Sequence, residues 1–132
     1  MKQIFSVYES TSEIKKASDL FLKIKKFRIN YGRENLILIC LNSNNDIVKS
    51  KVLFTGGLNE SICDVRVVFK EALLCDSISI IIAHNHPSNC LKPSSQDIAI
   101  KNRIANAGDL LNISLLDFII FSKDSFYSAR RD

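Results

Sequence analysis

"SISIIIAHNHPSNCLKPSSQD", residues 77–97, passes from an apolar run through a proline-bracketed loop into the start of a helix. Ile80, Ile81, Ile82 and Ala83 predict a buried β-strand, whose side chains alternate between the two faces of a sheet. His84 and His86 therefore share one face, and Asn85 points to the other. Pro87 cannot donate a ladder hydrogen bond, so the strand should end beside the second histidine and leave both imidazoles at its open C-terminal edge. From Ser94 to Ala107 the spacing predicts a helix with Ile100, Ile104 and Ala107 inward and Gly108 as its C-terminal stop. "ISLLDFIIFS" (113–122) is the next long strand and "SFYSA" (125–129) a short edge.

Upstream, "NLILICL" (35–41) is too short for a globular helix and too uniformly apolar for a half-exposed strand, which predicts a central strand covered on both faces. "NSNND" (42–46) reads as a turn, and "DIVKSKVLFTG" (46–56) as a second strand antiparallel to the first, ended by Gly56 and Gly57. Val65, Val68, Phe69, Ala72 and Leu73 follow the spacing of a core-facing helix, with Ser61 or Asp64 as N-cap. Ile14, Ala17, Leu20 or Phe21, Ile24 and Phe27 mark an amphipathic helix from about Ser12 to Phe27. The order α, β, β, α, β, α, β implies one mixed sheet flanked by helices, an α/β fold.

The chain has 132 residues and a net charge of +4, enough for one domain with its own core and only mildly basic. A single domain over 1–132 is expected, with a basic amphipathic helix in 1–29 and the core in 30–132. No apolar run approaches the ~20 residues that span a bilayer, and "MKQIFSVYES" lacks the layout of a secretion signal, so no membrane association and a cytoplasmic address are expected. Cys40, Cys63, Cys75 and Cys90 show no CxxC spacing and read as mostly reduced; Cys90, close after His86, reads as a plain loop residue, with a metal ligand or a redox-sensitive thiol as the alternatives. Lys15, Lys16, Lys23, Lys25, Lys26 and Arg28 form a basic stripe on the first helix, either a solvated face or a hold on a phosphate backbone.

Both histidines of the chain lie in the opening stretch. Ser94 and Asp97 alone would be a capping pair, serine at N-cap and aspartate at N3. Beside two imidazoles on one strand face, the carboxylate completes three zinc ligands with one position left open, a site that makes hydroxide at neutral pH and polarises a carbonyl. Ser94 can hydrogen-bond an oxyanion from the same place. A carboxylate must also carry the proton to the leaving amine. Glu34, Glu60 and Glu71 are the candidates, and spacing favours Glu34 only slightly, because it opens the buried first strand.

His84, Asn85, His86, Pro87, Ser88 and then Pro93, Ser94 and Asp97 resemble the HNHPS…PSxxD signature of RadC proteins. These are a bacterial branch of the JAB/MPN metalloprotease fold, with the shared motif E…HxHx(7)SxxD. "ENLILICLN", "LFTGGLNESI", "FKEAL" and "LLDFII" follow in the order of the RadC core, so the likeness covers roughly residues 30 to 128. It implies a cytidine-deaminase-like α/β/α sandwich, zinc held by His84, His86 and Asp97, Glu34 as acid and base, and Ser94 at the oxyanion. Three departures bear on the substrate pocket and on what supports the ligands: Val67 replaces the glutamate of HPRE, Phe118 the histidine of LDH, and Asn89 a glycine. The helix-hairpin-helix module of long RadC proteins is not expected, the basic helix taking its place.

The leading expectation is a zinc hydrolase of peptide or isopeptide bonds acting on an unidentified peptide or protein. The alternatives are a nucleic-acid-associated module of DNA repair or mobile elements, binding DNA through the basic helix, and a scaffold with a vestigial zinc site. Nucleoside deamination is disfavoured, since the PCxxC and HxE elements of that chemistry are missing.

Overall fold

The computed structural model describes residues 4–5, 17–57 and 63–130. Its elements in chain order are β1 (Ile4–Phe5), α1 (Ala17–Ile24), β2 (Asn35–Leu41), β3 (Ile47–Thr55), α2 (Val65–Leu74), β4 (Ser79–Asn85), α3 (Ser95–Leu111), β5 (Ser114–Phe121) and β6 (Phe126–Ser128). The strands form one sheet in the order β1-β3-β2-β4-β5-β6. Only β4 and β5 run parallel, as a crossover through α3 requires; the other neighbours are antiparallel.

β2 and β4 sit at the centre and are buried throughout, which is why both read as apolar runs instead of alternating strands. Their alternation sorts the core into two layers. Ile37, Ile39, Leu41, Ile81 and Ala83 meet Ala17, Leu20, Phe21 and Ile24 of α1 on one face. Leu36, Leu38, Cys40, Ile80 and Ile82 meet Val68, Phe69 and Ala72 of α2 and Ile100 and Ile104 of α3 on the other. The result is the expected three-layer α/β/α sandwich.

Several local expectations are corrected. α1 ends at Ile24, so Lys25, Lys26 and Arg28 lie beyond it and do not continue a stripe along its face. There the chain turns back to the sheet and packs Phe27, Ile29 and Tyr31 against the α1 layer. Lys15 and Lys16, with the predicted start of the helix at Ser12, fall outside the described residues. Asp64 caps α2, its carboxylate accepting from the Arg66 N–H, and Ser61 falls outside the description. Leu73 is exposed, whereas Glu71 is buried against β3. Gly108 lies within α3, which continues to Leu111 and closes on Asn112 at φ 59°. The pairing of β1 with β3 was not foreseen. Among the described residues, no helix is long and apolar enough to cross a membrane.

Candidate metal centre

β4 leaves the sheet at the end where α3 begins. His84, near its end, faces the α2–α3 layer, and His86 follows on the same side past Asn85. The two rings meet edge to face with centroids 5.1 Å apart. Opposite them α3 starts in a capping box. The Asp97 N–H donates to Ser94 Oγ (3.0 Å), and the Ser94 N–H donates to Asp97 Oδ2 (2.7 Å). The capping reading thus holds, and it aims the Asp97 carboxylate at the histidines. Oδ1 lies 2.8 Å from His84 Nδ1 and Oδ2 lies 2.9 Å from His86 Nε2, with Ser94 Oγ donating to Oδ2 as well (2.9 Å). Burial pushes the Asp97 pKa up, but His84 and the Ser94 backbone and hydroxyl donors outweigh it and hold the carboxyl well below its ordinary range.

Glu34 reaches this cluster through strand pairing. Leu36 of β2 is opposite His84 of β4, so the residue just before β2 comes beside the end of β4. Glu34 Oε1 lies 3.2 Å from His84 Nε2, with its side chain one-third exposed. An open cavity of about 580 Å³ is lined by Glu34, His84, His86, Ser94 and Asp97, with Pro87 on its wall. All five residues singled out as catalytic or ligating therefore converge on one cavity.

One ligand atom from each of His84, His86 and Asp97 can be chosen so that all lie within 4.8 Å of one another. The cluster is able to hold a metal ion, and its hydrogen bonding fits that role. His86 Nδ1 lies 2.6 Å from the Cys90 carbonyl oxygen, an atom that can only accept, so the ring proton belongs on Nδ1 and Nε2 is left to face Asp97 as a lone pair. His84 has carboxylate oxygens against both nitrogens, and a neutral imidazole has a proton for only one of them. A cation taken by His86 Nε2 and one nitrogen of His84 would occupy the bare lone pairs and leave the other His84 nitrogen to carry the ring proton. Cys90 serves through its carbonyl; its thiol is outside the ligand cluster and the residue is exposed.

Of the other glutamates, Glu71 is ion-paired with Lys49 and with Lys51 (2.9 Å), away from the cavity. Glu60 falls outside the described residues. Asn89 has φ 66°, the left-handed region that glycine favours and asparagine tolerates best among other residues; the loop keeps its turn without the glycine. Phe118 is buried in the α2–α3 core, and neither it nor Val67 lines the cavity of the cluster.

Sequence reasoning missed the buried pair Asn35 and Asn85. Asn85 Oδ1 accepts from the Asn35 N–H (2.8 Å) and from Asn35 Nδ2 (3.0 Å), while Asn85 Nδ2 donates to the Arg33 carbonyl (2.9 Å). The only signal for it was the polar residue sent by alternation to the opposite face from the histidines.

The family model described as "RadC-like JAB domain" matches residues 11–132. A UPF0758 protein of Enterococcus faecalis is 43% identical over 100 residues, covering 76% of this chain and 43% of that protein. One from Clostridium perfringens is 40% identical over 128 residues, covering 96% and 56%. One from Methanococcoides burtonii is 34% identical over 120 residues, covering 91% and 52%. The chain spans about half the length of these curated relatives.

Proposed function

The chain belongs to the RadC-like JAB domain family, and from that premise and the cavity's geometry we propose that it is a zinc-dependent hydrolase of peptide or isopeptide bonds. The observation that carries the reading is the convergence of His84, His86 and Asp97 on one point with a separate carboxylate, Glu34, beside it in the same cavity. Two imidazoles and one carboxylate suit zinc, and three protein ligands leave a position for chemistry. Bound there, a zinc ion supplies Lewis acidity toward a carbonyl and lowers the pKa of water to about 7.

The protein's own residues do the rest. Glu34 takes a proton from the attacking water as its oxygen bonds to the amide carbon. Collapse of the tetrahedral intermediate breaks the C–N bond, and Glu34 returns the proton to the departing amine. Ser94 Oγ, which donates to Asp97 Oδ2, turns its proton toward the developing oxyanion while its oxygen continues to cap α3. The Cys90 carbonyl fixes the His86 ring, and the capping box fixes Asp97, so the ligands are oriented before substrate arrives.

Glu34→Gln tests the reading. Zinc-loaded wild-type protein should release fluorescence from a quenched mixture of peptides and isopeptide-linked dipeptides. The variant should bind one equivalent of zinc with affinity within about three-fold of wild type and lose at least 10²-fold in turnover. Loss of zinc by this variant, or turnover equal to wild type, overturns the role given to Glu34.

A further inference from the structure

We infer that Asn85 is a positioning residue for Glu34, an inference that rests on Glu34 acting as acid and base. Asn85 stands between His84 and His86, and strand alternation sends its side chain through the sheet to the opposite face, where it is fully buried. The single amide there holds both peptide groups that flank Glu34. Its Nδ2 donates to the Arg33 carbonyl, which belongs to the peptide before Glu34, and its Oδ1 accepts from the Asn35 N–H, which belongs to the peptide after it. The carbonyl of Glu34 itself accepts from the Gly56 N–H (2.9 Å). The backbone torsions of Glu34 are therefore set by bonds on both sides of its Cα, and its side chain leaves that frame toward His84 Nε2.

Asn35 locks the arrangement. Its Nδ2 donates to the Asn30 and Arg33 carbonyls as well as to Asn85, and Thr55 Oγ1 donates to its Oδ1 (3.1 Å). Every bond of the Asn85 amide is thus buried or partly buried. A primary amide is needed at this length, since it pairs one donor with one acceptor a single carbon apart. Aspartate would keep the acceptor and set a carboxylate against the Arg33 carbonyl; leucine would keep only the shape. Because Asn85 lies within the same three residues as both histidines, one stretch of strand sets the ligands on one face and the orientation of Glu34 from the other.

The test compares Asn85→Leu and Asn85→Asp with wild type in the zinc-loaded state. Crystal structures should show His84, His86 and Asp97 in place and the Glu34 carboxylate displaced by about 1 Å or more, a shift large enough to cost up to about 10²-fold in rate. Hydrogen exchange of the Asn35 amide should accelerate at least 100-fold in the leucine variant while the amides of α3 stay protected. On a peptide that wild type cleaves, kcat per zinc-loaded folded protein should fall 10- to 100-fold with KM within three-fold, and the protected α3 amides with intact zinc loading show that the fall is not a loss of folded protein. Should the leucine variant fail to fold, the aspartate variant carries the structural and kinetic readouts, since it loses the bond to the Arg33 carbonyl and keeps an acceptor for the Asn35 amide. An undisplaced Glu34 in the folded variant overturns the inference, whatever the activity or the exchange of the Asn35 amide. Wild-type protein that hydrolyses nothing, together with a displaced Glu34 in the variants, removes the hydrolase reading and leaves the positioning intact.

Discussion

Gly108→Ala tests how α3, the helix that delivers Ser94 and Asp97, is seated on the sheet. In an unconstrained helix interior this change gains about 1 kcal/mol. Here a Cβ would come within 2.2 Å of the Ile113 carbonyl oxygen and 3.3 Å of Phe69 Cζ. Carbon and carbonyl oxygen settle at roughly 3.3 Å or more, so one side must give by about 1 Å. Ile113 is poorly placed to yield: it is buried at the entry to β5, and its N–H donates to the Gly108 carbonyl (2.8 Å). Losing that bond costs about 1 kcal/mol and forcing the contact about 1–3. After the propensity gain, the net destabilisation is about 1–3 kcal/mol. Urea unfolding should show a lower midpoint with an unchanged slope. Zinc affinity should stay within three-fold, because Asp97 is about three turns away and its own end of α3 is held by the capping box. A midpoint at or above wild type would refute the reasoning, since it would mean the junction of α3 and β5 yields freely.

Zinc should raise the melting temperature of wild-type protein, by the equivalent of about 2.7 kcal/mol at a hundred times the dissociation constant, and leave Asp97→Asn nearly unmoved; equal shifts in a thermal scan would deny Asp97 its place as a ligand. Hydrogen bonds from Lys49 and Lys51 hold the Glu71 carboxyl down to about 2. A depressed carboxyl stabilises fully above its ordinary unfolded value of 4.5, and the contribution is lost as pH falls through about 2. That contribution is about 3 kcal/mol at most. The stability gap between wild type and Glu71→Gln, measured by urea unfolding, should therefore shrink between pH 5 and pH 2.5. A gap that stays constant would show that the lysines do not act on this charge.

The parts of the fold that were legible in the sequence share a local cause. β2 was read to the residue because its apolar run is bounded by polar turns. His84 and His86 were placed on one face by strand alternation, and Asp97 at the start of α3 by its spacing from Ser94. Each of these depends on geometry within a few residues. The errors came where a local signal had two physical meanings. Glycine is the commonest residue after a helix, so Gly108 read as a stop; the structure uses it for close approach to Ile113 and gives the left-handed cap to Asn112. Leu73 continued an apolar spacing, but α2 is rolled so that Glu71 meets the two lysines of β3. A two-residue strand such as β1 is too short to show any period.

Glu34 and the asparagine pair belong to a different category, because their meaning is made by pairing across fifty residues of chain. Its place at the opening of the first core strand favours Glu34 over Glu60 and Glu71 only slightly, and the resemblance to RadC proteins points to it; what carries it to the histidines is the β2–β4 register, which brings Leu36 opposite His84. Asn35 was read only as the first residue of its strand and Asn85 only as the residue facing away from the histidines, and neither position names a partner. They instead satisfy each other and the backbone on either side of Glu34, which a buried polar pair must do to avoid a cost of about 1–3 kcal/mol for each unmet group. The same register that brings Glu34 to the histidines therefore makes the pair obligatory: once β2 and β4 are neighbours, two ends that carry Glu34 and the histidines on one side are closed on the other by amides that leave no donor stranded.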